Sequence, residues 1–305
     1  MRIIHVTDVY NDQEGLAKVL ESAQEKEADV FACTGDLLGA CLTKEEAQTL
    51  DAVYNFIRLN VQVKGNFSFQ NILDHIVSNK EMPEKFREAA QTYKSLECAF
   101  DERAENQYKG MSDLFKQYPG EVLMVPGNRD SPKFFDYFGM KNIHNRFAVI
   151  NGVKFAGYGG SNDRHLSHPA SRFLQFSEEE MYHFLLREDS DVVMTHLPPY
   201  SVGDLLVFQG GKKHLGSFAL LSYIRAESPN LLLCGHSGAR TACTDGNYST
   251  TFVENPGTFG NFGDNKLSST FSEIELDENK YVSIARLHQV QGEQIVLIGE
   301  VKATV

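Results

Sequence analysis

Apolar residues in this chain gather in short uninterrupted runs, each closed by a polar cluster. The runs fall at 3–6, 30–33, 122–125, 153–156, 192–194, 231–234 and 251–253. They have strand length, and most are apolar throughout rather than alternating, the pattern of strands covered on both faces. Helical stretches separate several of them, at 14–26, 177–187 and 217–227. Ser177-Glu178-Glu179-Glu180 has the form of a capping box, and Ser217 is a suitable N-cap for the stretch that follows it. Strands alternating with helices predict an α/β layered protein.

The segment from about 43 to 118 breaks this rhythm. It is rich in Glu, Lys, Gln and Ala, with Leu50, Val53, Tyr54 and Ile57 on one helical face. Phe86, Ala89, Ala90, Tyr93 and Leu96 make a second. A helical insertion between two core strands is expected, placed as a cap or hairpin beside the ligand-binding edge. After Phe271 the pattern turns to alternation, and with a final apolar run at 295–298 it predicts antiparallel strands closing a sheet.

A chain of 305 residues can bury one large core, or one core with a helical appendage. No stretch approaches the roughly 20 apolar residues needed to cross a bilayer. The first residues read as a buried strand rather than a signal peptide, so a cytoplasmic location is the expectation. Cys33, Cys41, Cys98, Cys234 and Cys243 are scattered, odd in number and without a CxxC pair, which argues against a disulfide framework or a zinc-thiolate site. Cys33 and Cys234 read as small buried hydrophobes. A net charge of -12 excludes an extended nucleic-acid surface, which needs clustered Lys and Arg, but leaves room for a nucleotide or a nucleic-acid end.

Five polar clusters end the apolar runs: Thr7-Asp8-Val9-Tyr10, Thr34-Gly35-Asp36, Pro126-Gly127-Asn128-Arg129-Asp130, Thr195-His196-Leu197-Pro198-Pro199 and Cys234-Gly235-His236-Ser237-Gly238. Carboxyl ends of strands in open α/β sheets converge on one edge, where ligands bind. Taken singly, a strand-end Asp is a cap or turn former and a lone His a hydrogen-bonded core or surface residue. Together, two carboxylates, an amide and two imidazoles at strand ends compose a ligand shell for a divalent cation.

In this order the clusters resemble the calcineurin-like metallophosphoesterases, whose motifs run D-x-H, G-D, G-N-H-[DE], a His after a strand, and G-H-x-H. Gly159-Gly160-Ser161-Asn162, Thr195 to Tyr200, Gly211, His214-Leu215-Gly216-Ser217 and Asn255-Pro256-Gly257 are similar to the small prokaryotic branch. The resemblance covers most of the chain outside the insertion and the last thirty or so residues. It implies a two-layered β-sandwich flanked by helices, and two metals bridged by Asp36. One metal site would be Asp36, Asn128, His196 and His236. The other would use Asp8 and Asp36, but its two histidine positions hold Tyr10 and Gly238, and the histidine thought to assist the leaving group is replaced by Arg129. The ligand set suits Mn, Fe, Zn or Ni.

From these departures come the remaining expectations. Arg129 reads equally as a phosphate ligand that stabilises transition-state charge, with Asp130 beside it in the catalytic set, or as a surface or salt-bridged arginine paired with Asp130. Asp8 reads as an acceptor behind the ligands or as a ligand of a weak second site, which Asp12, His165 and His168 are candidates to refill from nearby loops. Tyr10 would hydrogen-bond a phosphate or plug the vacated position. His214 would face substrate, with Lys212 and Lys213 attracting anions, or belong to a solvated basic loop. Two functions follow: a metal-dependent phosphoesterase acting on a small mono- or diester such as a nucleotide, or a catalytically reduced relative serving as a protein-binding scaffold, partnered at the insertion, or as a nucleotide sensor.

Overall fold

The computed structural model describes residues 1–61, 68–161, 169, 174, 176–208, 211–245, 248–260 and 269–302. Its core is two six-stranded sheets. One contains β1 (Arg2–Val6), β2 (Val30–Cys33), β3 (Glu121–Met124), β12 (Thr270–Leu276), β13 (Val282–Gln291) and β14 (Gln294–Lys302), ordered β14-β13-β12-β1-β2-β3. The other contains β4 (Arg146–Ile150), β5 (Val153–Tyr158), β6 (Val192–Thr195), β9 (Leu231–Leu233), β10 (Thr241–Thr244) and β11 (Phe252–Asn255), ordered β10-β11-β9-β6-β5-β4. A separate hairpin joins β7 (Leu205–Phe208) to β8 (Gly211–His214). The helices are α1 (Gln13–Glu25), α2 (Lys44–Asn60), α3 (Phe69–Ser78), α4 (Glu84–Gln117), α5 (Pro132–Phe135), α6 (Glu178–Leu185) and α7 (Phe218–Glu227).

Strands β1, β2 and β3 run parallel, as do β5, β6, β9 and β11 in the second sheet. Each parallel run is continuous in apolar residues because both its faces are covered. Ile3, Val30 and Ala32 point between the sheets, where they meet Phe155, Met194 and Leu233. Ile4, Val6, Phe31 and Cys33 point outward beneath α1 and α4. On the far side, Val193, Leu232 and Val253 pack under α6 and α7 through Phe184, Leu220 and Ile224. The expected closing strands are present as β12, β13 and β14, each antiparallel to its neighbour.

The insertion is helical, and it is continuous with the core. α4 has 34 residues, a rod of about 50 Å at 1.5 Å per residue. Its C-terminal half lies on the first sheet, where Phe115 meets Phe31 edge-on at 5.9 Å. Its N-terminal half carries α2 and α3 through Phe56–Phe86 and Phe69–Tyr93, both at 5.1 Å.

Helix starts differ from the sequence reading in one respect. A reciprocal capping box forms at Thr43 and Glu46 rather than at Ser177. Ser177 caps α6 by accepting from the Glu180 amide, but the Glu180 carboxylate is drawn to the Tyr158 hydroxyl. The neighbouring Glu178 carboxylate accepts from the Ser217 hydroxyl at 2.6 Å and the Ala219 amide at 2.8 Å, tying α6 to the start of α7.

Candidate metal centre

Carboxyl ends of the parallel strands of both sheets meet at one rim. Asp8 follows β1, Asp36 follows β2 and Asn128 follows β3, while His196 follows β6 and His236 follows β9. Two glycines allow the close approach. A Cβ on Gly127 would stand 2.1 Å from an Asp36 carboxylate oxygen, and one on Gly235 would stand 1.9 Å from the Thr7 hydroxyl. Asp8, Asp36 and His236 all hold left-handed backbone, with φ of 54°, 53° and 66°. Such conformations cost of order 1–3 kcal/mol each and concentrate at functional sites.

Four of the expected ligands come together. Asn128 Oδ1 lies 3.0 Å from His196 Nε2 and 3.0 Å from His236 Nδ1. His196 Nε2 is 3.5 Å from Asp36 Oδ1. Asp8 joins from the other side, accepting from the His236 amide at 3.1 Å. Asp8, Asp36 and His196 are buried, and their ligand atoms lie within 4.8 Å of one another, a group able to hold a metal ion.

The hydrogen bonds test whether a cation fits. His196 Nδ1 lies 2.7 Å from the Thr34 carbonyl, which only accepts, so that nitrogen carries the proton. In the neutral ring, Nε2 is then a lone pair facing the oxygens of Asn128 and Asp36, with no hydrogen among them. A cation resolves that frustration, and so does a second proton on His196. Burial disfavours the imidazolium, but the charges of Asp36 and Asp8 and the Thr34 carbonyl outweigh it and raise the His196 pKa. His236 behaves oppositely: burial, then the neighbouring His196, push its pKa down to about 3. Its Nε2 is buried without a hydrogen-bond partner among the described residues. Burial lifts the Asp36 carboxyl to about 7, with Asp8 and Asp130 adding to the rise and His196 and Arg129 opposing it. Two carboxylates, an amide oxygen and two imidazoles with mismatched protons are the donors that a divalent transition metal takes.

The other expected residues take distinct places. Tyr10 donates its hydroxyl to Asp8 Oδ1 at 2.9 Å. Burial, then the charges of Asp8 and Asp36, hold this phenol protonated, as a donor rather than an anionic ligand. Arg129 is buried rather than at the surface. Its guanidinium lies 5.1 Å from the Tyr10 ring centroid, and its amide donates to Asp36 Oδ1 at 2.8 Å. Guanidinium, phenol and Asp8 thus stand together on the side of Asp36 where the second metal was expected.

Asp130 does different work. Its carboxylate accepts from Leu37 and Leu38 amides, the Tyr108 hydroxyl and the Gly127 amide, at 3.0, 3.3, 2.9 and 2.8 Å. Four donors and full burial leave no oxygen for a substrate, so its surroundings fit a clamp on the ligand loops rather than the expected catalytic role. Asp12 is the N-cap of α1, accepting from the Gly15 amide, and is spent there. Asn162, His165 and His168 lie outside the described residues. His214 sits on β8, in a strand rather than the expected loop, with Nδ1 2.8 Å from Asp204 Oδ1. Tyr108, Asp204 and the Thr34 carbonyl escaped the sequence reading, since their roles depend on partners distant in the chain.

The description "Calcineurin-like phosphoesterase" matches residues 1–239. The chain belongs to the calcineurin-like phosphoesterase family. A search of the curated proteins gives no match. Among solved structures, one crystal structure aligns over 94% of this chain and 98% of its own at 16% identity and a TM-score of 0.59, sharing the fold. Yfce, a phosphoesterase from E. coli, aligns over 99% of both chains at 12% identity and a TM-score of 0.41. Vps29 complexed with zinc, from Entamoeba histolytica, aligns over 99% of both at 11% identity and a TM-score of 0.41. Among the described residues of this family member, no helix is long and apolar enough to cross a membrane.

Proposed function

We propose that the protein is a metal-dependent phosphoesterase acting on a small phosphate mono- or diester, with one divalent cation (Mn, Fe, Zn or Ni) held by Asp36, Asn128, His196 and His236. The observation that carries this reading is the convergence of their ligand atoms, with Asn128 Oδ1 3.0 Å from His196 Nε2 and 3.0 Å from His236 Nδ1, and Asp36 Oδ1 3.5 Å from His196 Nε2. A cation bound there supplies Lewis acidity to a phosphoryl oxygen and lowers the pKa of an attacking water.

The chain's own residues supply the rest. Arg129 is permanently charged and bidentate toward phosphate, so it binds the ester and neutralises charge as it accumulates on the phosphoryl oxygens. It cannot donate a proton near neutrality, and a good leaving group is therefore favoured over an alkoxide. Tyr10 orients Asp8 through its hydroxyl and faces Arg129 with its ring, keeping the guanidinium in place. Thr34 fixes the His196 tautomer through its carbonyl, leaving Nε2 as the ligating atom.

The test is hydrolysis of 4-nitrophenyl phosphate and bis(4-nitrophenyl) phosphate by purified protein supplied with each metal in turn. Turnover that disappears in Asp36→Ala and His236→Ala supports the reading, and turnover surviving both substitutions refutes it. Metal-independent folding, with partner capture that needs residues 43–118 and withstands a chelator, would favour the scaffold reading instead.

A further inference from the structure

The crossover between β6 and β9 carries an aromatic stack at the same rim as the metal ligands. β6 and β9 are parallel neighbours, so α7 between them begins at the edge where His196 and His236 lie. Phe218, the first residue of α7, lies nearly flat on Tyr200, with ring centroids 3.8 Å apart and planes 20° apart. The His214 ring meets Tyr200 at 4.9 Å. Asp204, itself buried, accepts hydrogen bonds from His214 Nδ1 at 2.8 Å and from the Gly216 amide at 3.1 Å, which fixes the ring. The root of this hairpin is tied to the metal centre: Ser237, adjacent to His236, donates its hydroxyl to the Gly203 carbonyl at 2.7 Å.

Nothing in the core accounts for the stack. Phe218 is 61% exposed, whereas Phe184 of α6 and Tyr223 of α7 are buried. A ring held rigidly by a neighbour, with its surface left in water, has the form of a stacking platform. Lys212 and Lys213, on the exposed β8 strand, add positive charge to this edge in a chain of net charge -12.

We propose that Phe218, Tyr200 and His214 form a ledge that stacks a nucleobase, so that the ester whose phosphate lies at Asp36 and Arg129 is a nucleotide. This assignment rests on the phosphoesterase reading and narrows its substrate. Phe218 and Tyr200 are specificity residues: they hold the base and leave the phosphate contacts unchanged.

Calorimetric titration of the full chain supplied with Mn tests it, with non-hydrolysable methylene phosphonate analogues of adenosine 5′-monophosphate and ribose 5-phosphate. The adenosine analogue should bind about 10- to 100-fold more tightly, the contribution of one stacked base. Phe218→Ala and Phe218→Leu should bring that ratio close to one without changing the affinity of the ribose analogue, and Phe218→Tyr, which keeps the flat ring, should preserve it. Equal affinity of the two analogues in the unmodified protein overturns the ledge, as does a ratio indifferent to Phe218→Ala. If neither phosphonate binds but adenosine alone does, and Phe218→Ala abolishes that, the ledge stands and the phosphoesterase reading fails. If adenosine also fails to bind, both fall.

Discussion

Adding a divalent cation that Asp36, Asn128, His196 and His236 hold should raise the melting temperature by an amount set by its concentration relative to its Kd. A ligand that binds only the folded state at 100 times its Kd stabilises by about 2.7 kcal/mol. Over 305 residues, an unfolding entropy near 2.1 cal/mol/K per residue amounts to about 0.6 kcal/mol/K, so the shift expected is about 4 °C. The shift should also depend on pH, because the cation must displace protons. The Asp36 and His196 pKa values are raised in the metal-free fold, so their protons stabilise that fold at low pH. This stabilisation is lost as pH rises, through about 7 for Asp36. His236, held down at about 3, is neutral across the whole window. The increment should therefore grow between about pH 6 and pH 8. Differential scanning calorimetry with and without Mn, Fe, Zn or Ni measures it, with Asn128→Ala and His236→Ala as controls. No shift with any of the four metals, or one that persists in both variants, refutes the ligand assignment; a shift indifferent to pH refutes the proton argument.

Three further outcomes follow from the geometry. Tyr10→His combined with Gly238→His should raise the bound metal from one ion per chain to two by native mass spectrometry. Among the described residues only the Thr258 hydroxyl, at 3.2 Å, would crowd a Cβ at Gly238, and the φ of 66° there imposes on a side chain the left-handed backbone that His236 already holds. Tyr108→Phe should cost about 1–3 kcal/mol in urea denaturation, because its hydroxyl donates to Asp130 and accepts from the Ser131 amide, both buried. Glu254→Ala should destabilise by about 3–5 kcal/mol in the same assay, since it removes one of the two buried partners of His5 and leaves the Ser272 hydroxyl without its acceptor.

Much of the sandwich is legible in the sequence because parallel strands buried on both faces must be apolar at every position, as in Val30-Phe31-Ala32-Cys33. The gathering of the candidate ligands at one rim is legible for a related reason: a polar residue directly after such a strand stands at the edge where the strands end. The β7–β8 hairpin is not, since Gly211-Lys212-Lys213-His214 is exposed throughout and carries no periodicity to read. Arg129 is opaque in another way. Its burial depends on the Tyr10 ring, which lies more than a hundred positions away in the chain. Asp130 looked available for chemistry because α4 delivers the Tyr108 hydroxyl to it from inside the insertion, a contact that no local pattern announces.

His5 on β1 meets Glu254 on β11 and Thr34 after β2, a buried rivet between the two sheets just below the rim. Asp8, Asp36 and Asn128 belong to one sheet, and His196 and His236 to the other. Any sliding of one layer past the other would pull the oxygen donors away from the nitrogen donors. Under the proposed assignment, metal affinity would be a gauge of alignment between the layers, and loosening the rivet should weaken cation binding before either sheet unravels.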